Sequence, residues 1–226
     1  MWFFFLRSDA PPPATLEDAV AAVSGETTTT SGDGATETTA APSTTVVSPI
    51  GLDGAWTIDP ALSFVGYRID EELASIGATT AVGRTSDIDA RLTFEGSSVT
   101  ELSVSVDMTT LQSDRSQRDN AMGSRGLQTS SFPSATFVLT APIELGSAPA
   151  DGEAINATAT GDLTLHGVTR PISLDLEGSL VEGTMVVVGS TVVTLADYDI
   201  EKPTGFSVVG IADTGLLELQ LAFVRS

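Results

Sequence analysis

The strongest constraint on the fold is an alternation of apolar and polar residues with a period of two, which starts near Trp56 and recurs to the end of the chain. In the clearest run, from Leu102 to Met108, every second residue is apolar and the residues between are serine and aspartate. Successive side chains of a β-strand point to opposite faces, so this spacing predicts strands with one buried face. Other runs with this spacing contain Leu92 and Phe94, Leu163 and Leu165, Ile172 to Leu176, and Leu217 to Phe223.

Glycine-containing breaks separate these runs at the distances expected of β-hairpins. Examples are Glu95 to Ser98, Glu177-Gly178 and Glu182-Gly183. A helical period is seen only over Ser113 to Met122, which could form a short exposed helix. Residues 51–226 are therefore predicted to form one all-β domain, a closed antiparallel barrel or, failing that, a sandwich.

The first residues of the chain are apolar and aromatic. Met1 to Leu6 reads Met-Trp-Phe-Phe-Phe-Leu and is followed by Arg7. This is far shorter than the roughly 20 residues that span a bilayer. Aromatic residues beside a charge are typical of the membrane–water interface, so we interpret residues 1–7 as the possible end of a membrane anchor. A degenerate signal, a short interfacial anchor and an ordinary disordered terminus are the alternatives.

Residues 8–50 have the composition of a helix followed by a linker. Three prolines, Pro11 to Pro13, precede Thr15-Leu-Glu-Asp18, which resembles a capping box and predicts a short helix through about Val23 that Gly25 ends. Residues 26–49 are mainly threonine, serine, glycine, alanine and proline. Such a segment buries too little apolar surface to offset the entropy of ordering, so it is predicted to be a disordered, Thr-rich stalk.

Charge and cysteine content exclude several functions. The chain has 30 acidic and 10 basic residues, a formal charge of −20, which repels phosphate backbones and argues against a nucleic-acid partner. It has no cysteine, so it can form no disulfide, thiolate metal site, thiol nucleophile or lipid-modified cysteine.

No residue pattern indicates catalysis or a metal site. His166 is the single histidine, and no nucleophile motif such as Gly-x-Ser-x-Gly accompanies it. A metal site requires several converging ligands, and the acidic residues Asp197, Asp199 and Glu201 are too few for a calcium loop. His166 is predicted to lie in a hairpin and to bond a backbone group, and we expect no catalytic residue, metal or cofactor.

Basic residues are concentrated in one short segment. Arg115, Arg118 and Arg125 supply three of the ten basic residues within eleven positions. Such a cluster could bind an anionic head group through bidentate hydrogen bonds. The alternative is a structural pairing of the Arg118–Asp119 type that fixes a loop across the barrel mouth.

The order of motifs in residues 55–226 resembles the YceI-like family. The most specific is the run Gly161-Asp-Leu-Thr-Leu-His-Gly-Val-Thr-Arg-Pro171. The others are Trp56 to Asp59, Ser63-Phe64, Gly83-Arg84, Val106-Asp107, Arg118-Asp119, Phe132 to Phe137, and Leu219 to Val224.

This resemblance implies an eight-stranded antiparallel, lipocalin-like barrel whose interior holds an isoprenoid chain, either a quinone or a polyprenyl compound. It also implies an exported, extracytoplasmic protein, secreted or anchored to the outer face of the membrane. The segment Thr194 to Tyr198 departs from the family, because Leu195-Ala196 stand where many members have a basic residue before the aspartate. The proposed head-group residues are Arg118, Arg125 and Arg170. The proposed chain contacts are Phe64, Phe94, Val104, Val106, Phe132, Phe137, Leu163, Leu165, Tyr198 and Phe206.

The function expected is binding, sequestration or transport of an isoprenoid lipid in the cell envelope without enzymatic activity, with no cofactor other than that lipid. The acidic surface favours a neutral head such as a quinone. Expected partners are the lipid, a membrane near the N-terminus and a second copy in a homodimer. Two alternatives remain: a surface interaction domain whose barrel is filled by side chains such as Phe64, Phe94 and Phe137, and a hydrolase that uses His166.

Overall fold

The computed structural model describes residues 10–25, 51–75, 77–203 and 208–226. The apolar fragment predicted at residues 1–7, the Thr-rich stalk predicted at residues 26–49 and the proposed contact Phe206 lie outside the described residues.

The described residues form two α-helices and thirteen β-strands. The helices are α1 (Leu16–Ser24) and α2 (Ser116–Ala121). Single turns of 3₁₀ helix lie at Pro60–Leu62, Met108–Thr110 and Leu195–Tyr198, and a π-helical turn lies at Met122–Gly126. The strands are β1 (Gly54–Ile58), β2 (Phe64–Leu73), β3 (Gly77–Thr85), β4 (Ile88–Glu95), β5 (Ser98–Asp107), β6 (Gln112–Ser113), β7 (Ser134–Leu139), β8 (Ile143–Glu144), β9 (Ala154–Leu165), β10 (Val168–Val181), β11 (Thr184–Thr194), β12 (Val208–Ile211) and β13 (Thr214–Arg225).

Eight strands close into an antiparallel ring in the order β1–β4–β5–β7–β9–β10–β11–β13, and β13 pairs back with β1. Strand β13 pairs with β1 through Phe223–Arg225 and with β2 through Leu216–Gln220, so β1 and β2 are consecutive parts of one side of the barrel. Strands β3, β6 and β12 extend the sheet from β2. The predicted eight-stranded barrel is therefore confirmed, and a sandwich is not formed.

The alternation read from the sequence matches the burial of the strands. In β5, Val104 and Val106 are buried while Ser103 and Ser105 are exposed. Strands β9 and β10 join through His166 and Gly167, whose φ angles are 51° and 76°. Positive φ at both central residues gives the mirror-image turn whose twist fits a β-hairpin.

One end of the barrel is closed by a buried aromatic cluster. Trp56 is 1% exposed and its indole nitrogen donates a hydrogen bond to the carbonyl of Leu52, at 2.9 Å. Its ring meets that of Phe94 edge to face, with centroids 5.9 Å apart. Leu52 and Phe223 are equally buried in the same cluster. We call this end the closed end.

Helix α1 packs against the outside of the barrel. Thr15 caps it, since its hydroxyl oxygen accepts a hydrogen bond from the backbone N–H of Asp18, and Gly25 ends it with a φ of 67°. Ala19 is 1% exposed and packs with Val186 and Val188 on the outer face of β11. We call residues 10–25 the docked segment. Within the described residues, neither helix has the length and hydrophobicity needed to cross a membrane.

Two arginines of the barrel hold the start of the docked segment. Arg68 donates to the carbonyl of Pro11 at 2.8 Å, and Arg84 donates to the carbonyl of Pro12 at 2.7 Å. Both guanidinium groups also pair with Glu218, which is 2% exposed. The carboxylate thus fixes both arginines, and the arginines in turn fix the backbone of the docked segment.

Candidate functional site

The interior of the barrel contains a narrow apolar tunnel made of two adjoining cavities. The deeper cavity has a volume of about 120 Å³ and the second has a volume of about 100 Å³. A buried water needs roughly 10–15 Å³ by this kind of measure, so each cavity has room for several waters or for part of an apolar chain. Both cavities are bounded by Val65, Val106, Ala135, Leu163 and Leu217, which places these residues where the two meet.

The tunnel wall offers a ligand almost no polar group. None of the described side chains that line the two cavities carries a charge. Apolar alternation on the strands produces this wall, because every second residue of a barrel strand points inward. The deeper cavity is lined by Phe94 and Val104 among others, and its remaining contacts include Leu92, Val99, Phe137, Ile172, Leu174, Leu176, Met185, Leu219 and Phe223.

Two glycines leave space for aromatic rings that line the tunnel. A Cβ atom on Gly161 would lie 2.4 Å from the Phe137 ring, and one on Gly83 would lie 2.5 Å from the Tyr67 ring. Any side chain at either position would clash with the ring, which would have to move. Gly161, in the most family-specific motif, therefore leaves space for the Phe137 ring that lines the deeper cavity.

The second cavity leads into a polar mouth with a volume of about 390 Å³. The mouth shares Tyr67, Ile69, Met122, Leu195 and Ile200 with the second cavity. Its further lining includes charged or amide side chains from β2, α2, the π-helical turn and the segment before β12, namely Glu71, Arg115, Gln117, Arg118, Arg125 and Glu201. The tunnel is therefore apolar from the closed end to a charged opening.

Arg118 is the most buried cation at the mouth, with its side chain 10% exposed. It donates to Glu71 at 2.5 Å and also pairs with Asp114 one turn earlier. Burial alone would lower the pKa of Arg118, but the hydrogen bonds and charges of Glu71 and Asp114 raise it above its ordinary value. Its Nε has no hydrogen-bond partner among the described residues.

Arg118 pairs with Glu71 and Asp114, so the pairing with Asp119 that the sequence suggested is wrong. Asp119 accepts hydrogen bonds from the backbone N–H and the hydroxyl of Ser113, at 2.9 and 2.6 Å. Adjacent residues of a helix point in different directions, whereas residues four apart lie on one face, so Arg118 meets Asp114 instead. The loop-fixing role proposed for the pairing fits this geometry, because Arg118 ties α2 to β2.

Tyr67 stands between the second cavity and the mouth. Its burial raises the pKa of the phenol well above its ordinary value, while the charge of Arg118 acts in the opposite direction. The phenol is therefore neutral at physiological pH and can donate a hydrogen bond to a ligand head.

The arginines proposed for a head group do not all meet. Arg118 and Arg125 both line the mouth. Arg170 is absent from that lining, since its Nε donates to the backbone carbonyl of Asp197 at 3.0 Å. Arg115, which belongs to the basic cluster of the sequence but was not among the proposed head-group residues, lines the mouth and pairs with Asp114 at 3.6 Å.

Most of the proposed chain contacts lie in the tunnel wall. Phe94, Val104, Val106, Phe137 and Leu163 line the deeper cavity, and Leu165 lines the second.

Three proposed contacts do not line the tunnel. Phe64 is displaced by one residue, because Val65 points inward and the guanidinium of Arg84 lies 4.0 Å above the Phe64 ring. Phe132 packs on the ring of His166, with centroids 4.2 Å apart. Tyr198 is buried in the core, where burial raises its pKa, but it borders neither cavity.

Sequence reasoning missed the contribution of β2. Its alternate residues Val65, Tyr67, Ile69, Glu71 and Leu73 run from the tunnel to the mouth. The period-two pattern is present in β2, but the proposed contact Phe64 lies in the register that points away from the tunnel.

His166 has the backbone contact that the sequence predicts. Its Nδ1 lies 3.0 Å from the carbonyl oxygen of Tyr198, and the side chain is buried. Its Nε2 has no hydrogen-bond partner among the described residues. Across residues 10–25, 51–75, 77–203 and 208–226, no group of three or more histidine or acidic side chains is arranged to hold a metal ion.

Comparison with solved structures shows the same fold. A polyisoprenoid-binding domain from Saccharophagus degradans implicated in plant cell wall breakdown superimposes with a TM-score of 0.62 at 17% identity, covering 76% of this chain and 98% of that domain. BcnA from Burkholderia cenocepacia superimposes with a TM-score of 0.57 at 18% identity, over 73% of this chain and 98% of BcnA. At these identities the likeness concerns the fold alone.

Proteins found by sequence comparison are more similar to this chain than these solved structures are. A UPF0312 protein from Shewanella denitrificans is 30% identical over 149 residues, which cover 61% of this chain and 73% of the relative. Protein YceI from Escherichia coli O157:H7 is 31% identical over 116 residues, 50% of this chain, and the match spans only 54% of that relative. The YceI-like domain model matches residues 56–223, which include every strand of the closed ring at least in part, so the chain belongs to the YceI-like family.

Proposed function

We propose that this protein binds an isoprenoid lipid, with the hydrocarbon chain in the tunnel and the head group at the mouth. The continuity of the two apolar cavities with the polar mouth carries this proposal, because a chain that has passed the mouth meets no charged side chain of the described residues before the closed end. Each buried methylene contributes roughly 0.8 kcal/mol, so chain burial alone can supply affinity. The polyisoprenoid-binding domain of Saccharophagus degradans has the same fold, which supports this class of ligand.

The charges of the mouth favour a neutral head such as a quinone over a pyrophosphate. Arg118 is already paired with Glu71 and Asp114, and Arg115 also pairs with Asp114. A pyrophosphate would have to displace these carboxylates or lie beside them, at the cost of charge repulsion. The neutral phenol of Tyr67 and the Nε–H of Arg118 can donate hydrogen bonds to a carbonyl oxygen without that cost.

The open interior argues against a filled interaction domain. Phe94 and Phe137, which would have to fill the barrel in that alternative, line the wall of the deeper cavity instead. Carriage or sequestration of the lipid outside the cytoplasm, without catalysis, is the role that fits this design and the membrane-facing N-terminus proposed from the sequence.

Native mass spectrometry of the protein purified from its own host tests the proposal. We expect a bound species that organic extraction identifies as a quinone or another isoprenoid of neutral head. Recovery of a polyprenyl phosphate would overturn the head-group assignment but not the tunnel. An empty barrel in every preparation would contradict lipid binding.

A further inference from the structure

The closed end terminates the tunnel with buried aromatic rings. Phe94 and Phe223 line the deeper cavity and are 3% and 1% exposed. Trp56 lies beyond Phe94, since it meets that ring edge to face but does not border the cavity. Its hydrogen bond to the carbonyl of Leu52 fixes the indole in place. A chain that enters from the mouth therefore stops at the two phenylalanine rings.

The wall of the tunnel is covered even where the barrel ring is least continuous. Strand β9 pairs with β7 only from Gly161 to Thr164, which leaves the first part of β9 without β7 as a neighbour. Strand β8 contacts β9, and its Ile143 lines the deeper cavity and is 6% exposed. A lipid chain longer than the tunnel can therefore extend only at the mouth.

Strand β13 gives the length of the apolar path. Its alternate residues from Gly215 to Phe223 line the two cavities in order, with Leu217 at their junction. Gly215 and Phe223 are eight residue steps or about 27 Å apart along the strand. Barrel strands tilt by about 35–45° from the axis, so the apolar path is about 20 Å long in the direction of the axis.

This length corresponds to a defined number of isoprene units. Each unit adds four bonds to a lipid chain, and since three bonds of an extended polypeptide span about 3.8 Å, one unit spans about 5 Å. The apolar path therefore takes about four units between the closed end and the neck, which is formed by Tyr67 and Leu195 where the second cavity meets the mouth. Further units would lie in the mouth beside Arg118 and other charged side chains, where a hydrocarbon is not fully removed from water.

We propose that the closed end selects the length of the lipid, so that the tunnel binds isoprenoid chains of about four units in preference to longer ones. Phe94 and Phe223 determine this specificity, because their rings set the depth to which the chain can enter. The inference rests on the proposed function, since it adds a chain length to the class of lipid that the tunnel binds.

A series of quinones with one head group and different chain lengths tests this selection. The full chain is equilibrated with bile-salt micelles that contain equal amounts of quinones with short and long chains, and the protein-bound quinones are quantified by mass spectrometry. Units buried in the tunnel replace units buried in the micelle, so uptake should change little up to about four units. Each further unit loses its burial. Since one buried methylene is worth roughly fourfold in an equilibrium constant, uptake should fall by about tenfold or more for each unit beyond the fourth.

A matched pair of variants on β5 tests the role of the closed end. Val99 lines the deeper cavity and lies opposite Phe94 on β4, so Val99→Phe should shorten the preferred chain by about one unit. Ser103→Phe adds the same ring at an exposed position of the same strand and should leave the preference unchanged. Phe223→Leu should extend the path and raise the uptake of longer chains several-fold relative to wild type. Urea unfolding of each variant verifies that the barrel remains folded.

Equal uptake of the shortest and longest chains would overturn the proposed selection, because the lipid would then fold back or leave the tunnel by another route. An unchanged preference in a folded Val99→Phe protein, or the same shift in Ser103→Phe, would also overturn it. Uptake without a length limit refutes only the selection. Failure to take up any quinone of the series contradicts the proposed function as well.

Discussion

A phenylalanine at Ala135 should block the tunnel without unfolding the barrel. Ala135 is 8% exposed and borders both apolar cavities, so a larger side chain there fills the junction between them. Val138 lies on the same strand with its side chain 50% exposed, so Val138→Phe adds a ring of the same size outside the tunnel. The two variants therefore separate obstruction from a general effect of added aromatic surface.

The magnitude follows from the length of chain that is excluded. The deeper cavity extends along β10 from Ile172 to Gly178, which are six residue steps or about 20 Å apart along the strand. If a ligand loses contact for only three methylenes at roughly 0.8 kcal/mol each, the loss is about 2.4 kcal/mol, or roughly 60-fold in Kd. Overpacking should cost about 1–3 kcal/mol of stability, and less where the ring enters existing space.

Binding is measured by titration with a farnesylated quinone in detergent-free buffer, and stability is measured by urea unfolding. We expect Ala135→Phe to weaken binding by roughly 60-fold or more while Val138→Phe binds as wild type. A folded Ala135→Phe protein with unchanged affinity would refute the assignment of the deeper cavity as the site of the chain.

Three further substitutions test separate parts of the structure. Trp56→Ala should cost about 3–5 kcal/mol in urea unfolding because it empties the closed end, and a loss below about 1 kcal/mol would contradict that packing. The hydroxyl of Thr109 donates a hydrogen bond to Asp107 at 2.6 Å, and this bond lowers the pKa of Asp107. Thr109→Val removes the hydroxyl, so the pKa of Asp107, followed by NMR titration, should rise toward its ordinary value. Since a depressed carboxyl pKa stabilises the fold above about pH 4 and this contribution disappears as pH falls through the folded-state value, the variant and wild type should converge in stability in acid. His166→Ala should lower stability by roughly 1–3 kcal/mol through the lost contact with Tyr198 yet retain bound lipid, whereas loss of the lipid with the fold intact would give the histidine a binding role.

The sequence predicts the barrel well because its main signal is local. Alternation along each strand assigns the inward face, and Val104, Val106 and Leu163 lie in the tunnel wall as that reasoning expects. The hairpin at His166-Gly167 is equally local, since two adjacent residues with positive φ define the turn.

The register at Phe64 illustrates a limit of that reasoning. Phe64 was predicted to face the interior because it is a large aromatic residue. In the structure the guanidinium of Arg84, from the adjacent strand, lies over its ring, and Val65 faces the tunnel. A shift of one residue exchanges the two faces of a strand, and only the cross-strand partner decides between them.

Contacts between distant parts of the chain could not be predicted from the sequence. Helix α1 was predicted from its capping residues, but its docking on β11 depends on Val186 and Val188, far along the sequence. The clamp on Pro11 and Pro12 is built by residues that are 57 and 72 positions away. The residues of the segment itself do not predict this clamp, because the groups that bind it belong to another part of the chain.

The ring closure that joins β1 and β13 has a consequence for biosynthesis. Thr57 and Val224 are neighbours across the seam, so the first and last strands of the ring must both be available before the barrel can close. Folds dominated by such distant pairings form slowly, and no partial set of strands encloses a space. A nascent chain of this family member therefore has no enclosed interior while it is being made, so under the proposed function a lipid enters the tunnel only after the ring has closed. The proposed loading would then take place where the finished chain folds.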